Sequence, residues 1–180
     1  MKTSTKYAVV AVLGIGTAGL SVAEERPYLG IQYGQLQTED IQMPNQQTLK
    51  LNHLGLVVGA NILPAIGLEA QYSTSLEDYD LGLGSTLATE TLAAYAKLQT
   101  PTPVYVNSRI GVARVNYEQT GLFTQSKTHT SGIAYGLGAG LKLVDTASIE
   151  IGYTRLPDTE VQGQATHKNE LVTMGINFHF

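Results

Sequence analysis

Apolar and polar residues alternate one by one through eight segments of the chain: Tyr28–Gln37, Leu51–Asn61, Ile66–Ser73, Thr91–Leu98, Val104–Asn116, Gly132–Leu141, Ser148–Leu156 and Leu171–Phe180. The last is the clearest. Val172, Met174, Ile176, Phe178 and Phe180 share one side, and Thr173, Gly175, Asn177 and His179 share the other. Period-2 alternation of this length predicts strands with one apolar face. Most segments approach the ~9–11 residues that a tilted membrane strand needs. A final strand with one greasy face, ending on an aromatic residue, suits the closing strand of a membrane barrel. In a soluble sandwich the same face would be turned into a core.

The connections alternate too. Residues 61–65, 99–103 and 144–147 make short turns, whereas 38–50, 74–90, 117–131 and 157–170 are long and polar. Short turns at one end and long loops at the other are the asymmetry of outer-membrane barrels. An even strand number leaves both ends of the barrel on the periplasmic side. The fold class expected is therefore all-β: an eight-stranded antiparallel up-and-down transmembrane β-barrel.

The amino terminus fits that destination. Lys2 and Lys6 precede an apolar run from Ala8 to Leu20, and Ser21-Val22-Ala23 has the small-x-small form of a cleavage site. Residues 1–23 are expected to be a cleaved export signal, and 24–180 the barrel domain. The apolar run is shorter than a spanning helix requires. Composition then narrows the function classes. The chain has no cysteine, which excludes a disulfide framework and thiolate chemistry. Removing Lys2 and Lys6 from the 11 basic residues leaves 9 against 15 acidic ones, a net charge near −6. Nucleic acid, which calls for a basic surface, is not an expected partner.

The parity opposite to the apolar one fills the barrel interior. It carries Gln32, His53, Glu69, Gln71, Tyr95, Lys97, Asn107, Arg109, Lys142, Glu150, Thr173 and Asn177 among many glycines. Eight strands enclose only enough room for side chains, and buried charges must be paired. Glu69, Lys97, Arg109, Lys142 and Glu150 are the expected ion-pair network plugging the lumen, with Glu69–Lys97 and Lys142–Glu150 as neighbours. On the outward parity, Lys50, Arg114 and Arg155 stand at loop-proximal strand ends, where charge is tolerated. They are candidate contacts for lipopolysaccharide phosphates, to which Arg can bond bidentately. Tyr72, Tyr135, Tyr153, Phe178 and Phe180 form the expected aromatic girdles.

With these residues assembled, the chain resembles the small eight-stranded outer-membrane barrels of the OmpA transmembrane-domain and OmpX type. The resemblance rests on Pro27-Tyr-Leu-Gly-Ile-Gln-Tyr33, Gly67-Leu-Glu-Ala-Gln-Tyr72, Tyr95-Ala-Lys-Leu98, Arg109-Ile-Gly-Val-Ala-Arg114, Ala134-Tyr-Gly-Leu-Gly-Ala-Gly140, Ile149-Glu-Ile-Gly-Tyr153 and the terminal Phe180. It implies an integral protein of a bacterial outer membrane, recognised by the assembly machinery through the strand that ends at Phe180. It also implies that the periplasmic peptidoglycan-binding domain of the longer relatives is absent. The oligomeric state stays open, with a monomer as the expectation.

Catalysis and metal binding find little support in the sequence. His129 and Ser131 share one strand face, as a lipid-deacylating pair would, but they have the outward parity and no carboxylate fixed beside them. Four scattered histidines make a poor metal site, and no cofactor is expected. Gly136-x-Gly138-x-Gly140 lies within one strand, where a nucleotide fingerprint needs a strand-to-helix turn. Glu77, Asp78 and Asp80 make one loop acidic, as a cation site or, more simply, a solvated loop. The expected role is structural or interactive, in envelope integrity or surface contact through the loops. A small-solute pore and a lipid A-modifying hydrolase are the alternatives.

Overall fold

The computed structural model describes residues 26–40, 48–77, 79–82, 85–120, 125–161 and 164–180. The expected export signal lies outside them. Among the described residues the chain forms nine strands: β1 (Arg26–Asp40), β2 (Thr48–Leu63), β3 (Ile66–Ser75), β4 (Tyr79–Gly82), β5 (Ser85–Gln99), β6 (Val104–Thr120), β7 (Gln125–Val144), β8 (Ala147–Val161) and β9 (Gln164–His179). All pairings are antiparallel between chain neighbours, except that β3 pairs with β5 and β1 with β9. The β1–β9 ladder, from Tyr28 opposite His179 to Asp40 opposite His167, closes the barrel. Eight strands make its wall. The short β4 pairs only with β5, above the wall.

Alternation in sequence becomes alternation across the wall. On β3, Ile66, Leu68, Ala70 and Tyr72 point out while Gly67, Glu69, Gln71 and Ser73 are buried. Ile133 is 68% exposed and Leu137 66%. A soluble protein would not leave so continuous an apolar belt in water; around a barrel it is the lipid-facing band.

The three short turns form one rim. Gln99 donates its N–H to the Ala65 carbonyl (2.8 Å), Lys142 to Pro103 (2.8 Å) and His179 to Thr146 (2.9 Å). Finally, Phe180 donates to Pro27 (3.0 Å), tying the carboxyl end to the first strand. At the other end the strands run further than the alternation suggested. β6 and β7 stay paired up to Thr120 opposite Gln125, and β8 and β9 up to Val161 opposite Gln164. Above the bilayer both faces of a strand are polar, so the ladder continues after its sequence signature has ended.

Inside, the expectation of a polar filling holds for only part of the height. Leu36, Leu51, Val115, Leu156 and Leu171 are buried together with Ala93, Tyr95, Ala113 and Ala134, forming an apolar layer towards the long-loop end. Above it, Asn169 accepts hydrogen bonds from Thr38 (3.0 Å) and Tyr117 (2.9 Å) and donates to the Pro157 carbonyl (2.8 Å).

Candidate functional site

Below the apolar layer, four charged side chains from four strands converge. Glu69 comes from β3, Lys97 from β5, Arg109 from β6 and Glu150 from β8, each on its strand's inward parity. The register sets Lys97 directly opposite Arg109 on β5–β6, and the two carboxylates approach that cationic pair from either side. Lys97 Nζ lies 3.2 Å from Glu69 and 2.8 Å from Glu150. Arg109 Nη1 lies 3.1 Å from Glu69, and its Nη2 bonds Glu150. Each cation bridges both carboxylates, so the four formal charges cancel within one square. All four residues are at least nine-tenths buried.

Two tyrosines complete the square. Tyr28 donates to Glu69 Oε2 (2.6 Å), Tyr105 donates to Glu150 Oε2 (3.2 Å), and Gln71 donates to Glu69 Oε1. Lys97 Nζ also sits 5.4 Å from the centre of the Tyr28 ring. With these bonds every carboxylate oxygen has a charged or hydroxyl partner. That satisfaction is what makes charge tolerable away from water. Each tyrosine needs a glycine to stand there. Tyr28 is paired across the ladder with Gly59, and Tyr105 with Gly140. A Cβ at either glycine would fall inside the opposing ring.

Lys142 is not a member of this square. It faces Ser148 in register, beside the β-bulge between Lys142 and Val144, and is exposed at the short-turn mouth. Glu150 stands opposite Gly140, one inward position deeper, and Lys97 and Arg109 already occupy its carboxylate. The lysine instead helps line a mouth cavity of about 90 Å³ with Tyr28, Asn61, Asp145 and His179. Tyr28, Tyr105 and, apart from the inward Tyr95, the apolar layer were missed by sequence reasoning. The signal existed. Tyr28 precedes the outward Leu29, Tyr105 lies between outward Val104 and Val106, and Leu36, Leu51, Leu156 and Leu171 are out of phase with their strands' lipid face.

The remaining candidates are dispersed. Tyr72, Tyr135 and Tyr153 point outward near the long-loop end, and Phe178 and Phe180 at the opposite rim. Lys50 and Arg114 are exposed, and the Arg114 Nε donates to Asn116 (3.1 Å). Arg155 is engaged by Glu170 (3.1 Å) and Asp158 (2.6 Å), so its charge is already neutralised on the wall. His53 is buried between Thr89 (2.8 Å) and Ser73 (3.4 Å). His129 and Ser131 are exposed, opposite Asn116 and Arg114 on β6. Among the described residues no group of His, Cys, Asp or Glu is arranged to hold a metal. Glu77 is exposed, and Asp78 lies outside the described residues.

The outer membrane protein β-barrel domain model matches residues 8–180. The chain belongs to this family. It is thus an integral outer-membrane β-barrel, and the exposed apolar belt is its lipid contact. No curated protein matches the sequence significantly. Among solved structures, Ail of Yersinia pestis is similar over 87% of this chain and 99% of its own, with a TM-score of 0.66 and 12% identity. Neisserial surface protein A covers 86% and 97%, at a TM-score of 0.62 and 13% identity. The amino-terminal barrel of Pseudomonas aeruginosa OprF covers 84% and 97%, at 0.59 and 12%. At these identities the likeness is one of fold.

Proposed function

We propose that this protein is a closed, non-catalytic outer-membrane barrel that acts through its surface, in envelope integrity or in contacts made by its long loops. The observation that carries this reading is the double filling of the lumen. The Glu69–Lys97–Arg109–Glu150 square lies below, and the Leu36–Leu51–Val115–Leu156–Leu171 layer lies above. A hydrated solute would have to break paired, buried charges and then cross an apolar septum, where water itself is disfavoured. Planar-bilayer recording tests this: the purified barrel should show no steps above the bare-membrane background. Regular single-channel openings in the unsubstituted protein would establish the pore instead. Deletion followed by a dye- or detergent-sensitivity assay would then report an envelope role.

Two features of the wall support a reading of its partners. Lys50 and Arg114 are exposed at loop-proximal ends, with lipopolysaccharide phosphates as their proposed ligands. The terminal strand, with outward Val172, Met174 and Phe178 and its Phe180 end, is the proposed signal for the assembly machinery.

A further inference from the structure

One joint of the barrel wall is unlike the others. Every other ladder ends, at the long-loop end, close to where one of its strands ends. The β7–β8 ladder stops at Tyr135 opposite Arg155, although β7 continues back to Gln125 and β8 on to Val161. Among the described residues no register pair joins them beyond that point. The cause lies at Pro157, which has no N–H to give to a ladder. Around it the β8–β9 register slips between Leu156 and Thr159, the signature of a bulge. Consecutive residues Leu156 and Pro157 are both buried instead of alternating.

What closes this joint is side-chain packing. The Pro157 ring lies against Gly132, close enough that a Cβ on the glycine would be 3.2 Å from the proline Cβ. Thr130 Oγ1 reaches across to the Asp158 carbonyl at 3.1 Å. Immediately behind are Ala134 and Leu156, members of the apolar layer. Immediately outside is Ile133, the last apolar lipid-facing residue of β7, opposite Val112. The joint therefore meets the bilayer where apolar wall gives way to polar rim. It separates lipid from an apolar interior with few bonds to break.

We propose that the Gly132–Pro157 joint is a lateral gate through which an acyl chain of an outer-leaflet lipid reaches the apolar layer. Apolar surface continues from Ile133 outside to Ala134 and Leu156 within, which suits a hydrocarbon chain. Thr130, Asp158 and Arg155 remain at the rim beside the polar head. Opening costs the Pro–Gly contact and one side-chain bond, whereas any other joint would lose a backbone ladder. This inference is independent of whether the loops bind a partner.

The chain contains neither Trp nor Cys, so both can be introduced as unique probes. Leu156→Trp, folded into vesicles of phospholipid with acyl chains brominated near the headgroup, should be quenched to at least half the extent of lipid-facing Leu137→Trp. Adding Gly132→Cys with Pro157→Cys places two Cβ atoms 3.2 Å apart, close to the ~3.5–4.5 Å Cβ separation of a disulfide. Oxidation of that pair should reduce the quenching at least twofold, and reduction should restore it. Quenching that stays at the level of the Leu156→Trp single variant in both redox states overturns the gate, as does quenching by aqueous acrylamide without quenching by bromine. Low quenching in both states supports it, because Pro157→Cys restores the N–H that lets the ladder close. If Leu156→Trp does not fold, the unsubstituted protein in vesicles of a diazirine-acyl phospholipid gives the same answer. Labelling at Ala134, Leu156 or Pro157 supports the gate, and labelling confined to outward residues refutes it.

Discussion

Glu69 shows what a single residue has to satisfy in this lumen. Its two oxygens take bonds from Tyr28, Gln71, Lys97 and Arg109. Glu69→Ala leaves two buried cations sharing one carboxylate, and is expected to destabilise the barrel by about 3–5 kcal/mol. Adding Lys97→Met should recover much of that loss. The check is a double-mutant cycle of folding into lipid vesicles; coupling within about 0.5 kcal/mol of zero would show that the pair does not interact. The glycine opposite Tyr105 makes a second case. Gly140→Ala drives a Cβ into the ring and should cost about 1–3 kcal/mol by overpacking. In a Tyr105→Ser background, where the ring is gone, the same substitution should be close to neutral. A full cost in that background would place the strain in the backbone.

At the scale of the strand, parity decides what a position tolerates. Leu137 is outward on β7, so Leu137→Arg buries a charge in lipid and is expected to cost about 2–4 kcal/mol near the midplane. Thr91 is inward on β5, and Thr91→Ser removes one methyl for about 1 kcal/mol. Vesicle-folding equilibria separate the two, and equal costs would contradict the assigned faces. The element scale also explains where sequence boundaries fell short. β7 begins at Gln125, seven residues before its alternation becomes readable, because Ser126, Lys127, Thr128 and His129 are polar on both sides. Backbone pairing with β6 holds them, and pairing leaves no side-chain signature.

For the whole molecule, the wall presents an uneven charge at its outer edge. Arg155 is tied to Glu170 and Asp158, whereas Lys50 and Arg114 are exposed. If lipopolysaccharide is the ligand of these residues, Lys50→Gln with Arg114→Gln should lower the thermal protection that added lipopolysaccharide gives. Arg155→Gln should change it less, and all variants should fold equally in neutral detergent. Protection of the double variant equal to that of the parent would leave these side chains only snorkelling into water.

By itself the sequence determined the class and the face of nearly every strand, and it named Glu69, Lys97, Arg109 and Glu150 as interior charges together with Lys142, because a barrel wall converts period two directly into inside and outside. Three things it left undecided. Lys142 shared the inward parity, but a bulge beside it and the depth of Glu150 placed it at the mouth. Tyr28 and Tyr105 became members of the square only once register set each against a glycine. The apolar layer arose from leucines on four strands that meet only when the sheet closes. Parity is a property of one strand, whereas depth, register and closure belong to pairs of strands. Those were decided by the tertiary structure alone.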